Sequence, residues 1–78
     1  MSSSMNDLVI DTIREVMAEN QRSVTDLKPE TQILAGTSLD SLDLAIVVVK
    51  MEIKTGKDPF KQGFIFFSTV QELAKLYE

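Results

Sequence analysis

The stretch Asp40-Ser41-Leu42-Asp43-Leu44-Ala45-Ile46-Val47-Val48-Val49-Lys50-Met51-Glu52-Ile53-Lys54 decides the fold. Its centre, Ile46-Val47-Val48-Val49, is β-branched and by propensity suits a buried strand. Its ends argue otherwise. Asp40 as N-cap with Asp43 three residues on makes a capping-box-like start, and both carboxylates favour the positive end of a helix dipole. Lys50 and Lys54 suit the negative end, Gly56 fits the C′ position, and Pro59 blocks continuation. Caps, terminator and length together predict a helix from Asp40 to Lys54. Its apolar residues run nearly all round, whereas a surface helix needs one stripe, so some of them stay exposed unless something covers them.

Working outward, Met5, Val9, Ile13, Val16 and Met17 fall on one helical stripe and predict a first helix over Met5–Ala18. Ser4 can cap it, with Asp7 three residues on. Between Glu19 and Leu39 the periodicity dissolves into turn chemistry supplied by Asn20, Ser23, Thr25, Asp26, Pro29, Thr31, Gly36, Thr37 and Ser38. About twenty residues is long for a loop in a compact domain. Val24, Leu27, Ile33 and Leu34 are expected to pin it to the core. A last helix starts after Ser68 or Thr69, with Gln71 or Glu72 three residues on, and turns Val70, Leu73, Ala74 and Tyr77 inward. Asp58–Phe67 has no clean period. It holds all four phenylalanines, Phe60, Phe64, Phe66 and Phe67. In so small a domain they are expected to plug the core rather than form an exposed aromatic patch.

The reading is therefore an all-α chain, one domain over residues 1–78, with 1–4 a frayed leader. At 44% hydrophobic and 26% charged with few Gly and Pro, it is not a disordered composition. The longest apolar run, Leu44–Val49, is far short of a membrane span. The leader has neither the basic nor the apolar region of a signal peptide, so the expected location is cytoplasmic.

Chemistry is narrowed by two zeros: the chain contains no Cys and no His. Thiol nucleophiles, zinc-finger spacings and imidazole-based triads are excluded within it, and no metal site is expected. Its net charge is −4, and residues 1–49 carry eight acids against three bases. Four lysines at 50, 54, 57 and 61 are too few to make a nucleic-acid footprint. A protein partner with a basic patch is the more natural match.

Leu39-Asp40-Ser41-Leu42-Asp43, placed after a long loop and opening an apolar helix, resembles the Asp-Ser-Leu motif of the acyl carrier protein family. The likeness runs from about Met5 to Tyr77. It takes in the amphipathic first helix, the Pro-containing loop, Gly36 before the Ser, and Thr69-Val70-Gln71-Glu72-Leu73. It implies a small three- to four-helix bundle whose third helix is here short or irregular. It also implies that Ser41 bears a covalent 4′-phosphopantetheine arm carrying acyl groups as thioesters. Asp40 would then cap the helix and help a phosphopantetheinyl transferase engage, and Leu42 would pack inward or touch a partner. The chain would act as a monomeric carrier rather than an enzyme. It would serve acyl-loading and acyl-transfer enzymes of fatty-acid, lipid or secondary-metabolite synthesis, with no nucleic acid and no membrane span. Partner recognition would fall to Asp43, Ile46 and Glu52. The family's acidic second helix is altered, with Ile46 at a usually acidic position and Lys50 and Lys54 beyond it. That points to dedicated clients. In the family an acyl chain can fold back between helices; here the Phe-rich core is expected to be filled. An aminoacyl or peptidyl carrier, or an unmodified helical interaction module, is the alternative.

Overall fold

The computed structural model describes residues 4–21, 26–34, 39–61 and 63–78, and the statements below concern those residues. The expected caps are met at the start of each helix, and at Gly56 for the end of the second. α1 covers Met5–Glu19, α2 Ser41–Thr55 and α3 Val70–Leu76. The β-branched run 46–49 is helical, so the caps outweigh local strand propensity. The bundle is all-α, and the sole extended pairing among the described residues is an isolated antiparallel bridge between Gln32 and Thr69.

Each start is built by a side chain. Ser4 Oγ accepts the Asp7 N–H at 3.1 Å and so caps α1. Asp40 Oδ1 accepts the Asp43 N–H at 2.8 Å. Thr69 Oγ1 accepts the Glu72 N–H at 3.1 Å. The C-terminus of α2 closes on Gly56 at φ 73°, the left-handed conformation a glycine adopts without strain. α1 ends less easily: Asn20 is its C-cap, and the left-handed position is filled by Gln21 at φ 57°.

α1 packs against both α2 and α3. Val9, Ile13, Val16 and Met17 from α1 meet Val47 and Met51 from α2, and Val70, Leu73, Ala74 and Tyr77 from the α3 segment, in one core. Leu27 and Ile33 pin the long connection to it, as expected. Leu34 does not, being 46% exposed; Val24 and Gly36 lie outside the described residues. The connection is stitched to the start of α3. Ile33 N–H donates to the Ser68 carbonyl at 2.8 Å, and the Val70 and Gln71 N–H groups donate to Thr31 and Pro29 at 3.0 and 2.8 Å. Donors that a helix start would otherwise leave unpaired are thus satisfied by loop carbonyls.

The aromatic segment departs from expectation. Phe67 is buried and Phe60 half-buried, but Phe64 and Phe66 are 77% and 79% exposed. The interior is already filled by side chains such as Val47, Met51, Leu73 and Tyr77, all at zero exposure. Residues 58–61 and 63–67 form a turn and irregular chain, so only part of the Phe set reaches inward.

Candidate functional site

Asp40 and Asp43 form a complete capping box: each side chain accepts from the other's backbone N–H. Asp43 gains a second anchor, because Asn20 Nδ2 donates to its Oδ1 at 2.7 Å. The C-cap of α1 thereby holds the start of α2 in place. Asp43 is 5% exposed, and its carboxylate fills the expected capping role. Asn20 had no sequence signal for this role, since the contact spans 23 positions.

Between these two carboxylates stands Ser41, the first helical residue, with its side chain exposed. Leu42 turns outward and is 72% exposed, so the partner-facing alternative fits it and the inward-packing one does not. Ile46 and Glu52 are also exposed on α2. Ser41, Leu42 and Ile46 are all exposed in the first half of α2, while Asp43 is buried.

Ser41 sits on the rim of a groove of about 400 Å³, completed by Leu44, Ala45, Val48, Val49, Phe60, Phe64 and Phe67. Apart from the Ser41 hydroxyl, every side chain in this lining is apolar. The three Phe rings form its outer wall: Phe60 and Phe64 stack at 5.8 Å, and Phe67 lies 5.9 and 6.1 Å from them at tilted angles. The core itself is filled; the groove lies open at the surface along α2, with Phe64 exposed beside it rather than buried in the core. The groove was not legible in the sequence, where the Phe cluster reads as core.

The lysines that seemed to dilute the acidic character of α2 turn toward α1. Lys54 is paired with Glu15, Lys50 lies 3.2 Å from Glu19 and 3.8 Å from Glu15, and Lys54 also donates to Thr12 Oγ1 at 3.0 Å. Hydrogen bonding from Lys54, together with both ammonium charges, holds the Glu15 carboxyl below its ordinary pKa despite some desolvation. The outer surface of α2 is left mainly apolar, with Leu42, Ile46, Val49 and Ile53 exposed.

Among the described residues no cluster of acidic side chains could hold a metal ion, and no helix is long and apolar enough to cross a membrane. Comparison with family models, with curated proteins and with solved structures returned no match.

Proposed function

We propose that the chain is an acyl carrier, modified at Ser41 by 4′-phosphopantetheine. The observation that carries this reading is the position of Ser41: exposed at the first turn of a 15-residue helix and on the rim of an apolar groove. A phosphodiester at this oxygen would stand at the positive end of the α2 dipole. When attached, the arm supplies the thiol that a chain without Cys lacks, and holds cargo on it as a thioester.

The chain's own residues have distinct tasks in this reading. Asp40 and Asp43 fix the helix start, so the modified oxygen is presented at a constant position and angle. Leu42, next to Ser41 and outward, offers the transferase an apolar foothold. The groove favours an acyl cargo over an aminoacyl one, because an ammonium group desolvated against Val48 and Phe67 would find no partner there. With Lys50 and Lys54 engaged by Glu15 and Glu19, client enzymes would meet an apolar α2 surface rather than a strongly acidic one. That surface is also what an unmodified interaction module would display.

Incubation with coenzyme A and a broad-specificity phosphopantetheinyl transferase, followed by intact mass measurement, separates the two readings. One phosphopantetheine is expected on the parent chain and none on Ser41→Ala. No addition under conditions that modify a control carrier would overturn the carrier reading.

A further inference from the structure

The exposed apolar residues of α2 are ordered. Leu42, Ile46, Val49 and Ile53 are separated by four, three and four positions, the spacing of an a/d seam in a two-helix pair. At about 100° per residue they fall within a strip roughly 60° wide, on the side of the helix opposite buried Met51. None of the described residues closes over that strip: the four are 72%, 36%, 54% and 77% exposed. Four large aliphatic side chains in register on one helix exceed the scattered apolar exposure normal for a monomer.

We infer that this strip pairs with the same strip of a second copy, α2 against α2 in antiparallel orientation. The order of the residues supplies the argument. The strip is symmetric about the Val47–Val48 peptide, so a two-fold axis there sets Leu42 opposite Ile53 and Ile46 opposite Val49, each pair occurring twice. An isologous contact requires this self-complementarity. Charge permits it, because the two lysines of α2 nearest the strip are engaged by α1. The exposed parts of the four side chains, with Phe64 beside Val49, offer on the order of 500 Å² per copy. Two copies then bury at most about 1,000 Å², the low end for a specific interface, so the dimer is weak and concentration-dependent. The monomer expected from the sequence is its dilute form.

Ser41 stays outside the seam, roughly 110° around the helix from its centre. In the antiparallel pair the two Ser41 residues lie at opposite ends, about 20 Å apart along the axis. The inference does not rest on the carrier reading; because Leu42 serves both surfaces, the transferase assay above is run at low micromolar concentration, where the chain is monomeric.

The test is sedimentation velocity across the micromolar-to-millimolar range, on the parent chain and on Ile53→Lys and Leu42→Lys. Both positions are exposed, so each variant should keep the helical circular dichroism of the parent. The parent is expected to pass from monomer to dimer, and each lysine should weaken association about tenfold or more. Added salt should strengthen the dimer, because each copy carries −4 overall and the seam itself is apolar. Register is read by single-cysteine variants, which the absence of native Cys makes clean. Leu42→Cys mixed with Ile53→Cys should give disulfide-linked heterodimers, and neither alone should cross-link with itself efficiently. A chain monomeric to millimolar concentration would overturn the proposal. So would a dimer insensitive to both lysines, or one cross-linked 42 to 42.

Discussion

Ser41 and Asp43 are two positions apart, yet one is open to solvent and the other is sealed by a capping box and the Asn20 amide. A 100° step per residue turns each successive side chain of a helix to a new face, and two steps carry the chain from the groove side of α2 to its α1 side. Asp43 therefore holds the connection between the end of α1 and the start of α2. Replacing it with Ala removes an acceptor for the Asn20 amide and half of the capping box. The expected cost is roughly 1–2 kcal/mol of folding free energy, read as a lower urea midpoint at an unchanged slope. Asn20→Ala should cost less, because the box itself survives. The box was legible in the sequence because its two members are three residues apart. The Asn20 contact was not, because nothing local marks an Asn at a helix end as a ligand for a carboxylate on another helix.

α3 shows how a short element is kept helical. It has seven residues, too few to be stable from propensity alone, and its start carries many of its bonds. Glu72 Oε1 accepts the Ser68 and Thr69 N–H groups at 2.9 and 3.0 Å and the Ser68 hydroxyl at 2.8 Å. These bonds, Ser68 first and then Thr69, hold the Glu72 carboxyl down to about 2 from an ordinary 4.5. Since the folded value is depressed, this contribution is complete above pH 4.5 and is lost as the pH falls from there through about 2. In the parent, thermal stability should decline over that window; in Glu72→Gln the decline should be shallower. Equal slopes in the two chains would mean that the carboxylate adds nothing to the cap. α1 and α3 were legible because period and caps agree, and α2 because its caps, terminator and length outweigh its β-branched run. The Phe segment was not: four Phe without a period read as a core plug, and the already filled interior turned Phe64 and Phe66 outward.

At the scale of the molecule, α1 is the shared surface, and α2 and α3 each pack on it. Glu15 and Glu19 clasp α2 through Lys50 and Lys54, but these pairs are partly exposed and add little individually. The closure that depends on the whole fold is Tyr77, fully buried after α3, with its hydroxyl 3.5 Å from the Val48 carbonyl of α2. Burial raises its phenol from 10.0 to about 12, and the negative charges of Asp58 and Glu52 push the same way. With a folded value above the unfolded one, the stabilisation is complete below pH 10 and is lost as the pH rises through about 12. Tyr77 is the sole Tyr, and there is no Trp, so tyrosinate absorbance reports this one group. In the parent its appearance should be delayed to near pH 12 and coincide with loss of helical circular dichroism; in denaturant it should centre near 10. Lysines also discharge in this range, so Tyr77→Phe supplies the comparison: it should keep the fold and lose only the tyrosine part of the alkaline decline. Tyrosinate forming near pH 10 with the helices intact would mean that Tyr77 is open to water, and that α2 and the end of α3 are not closed over one core.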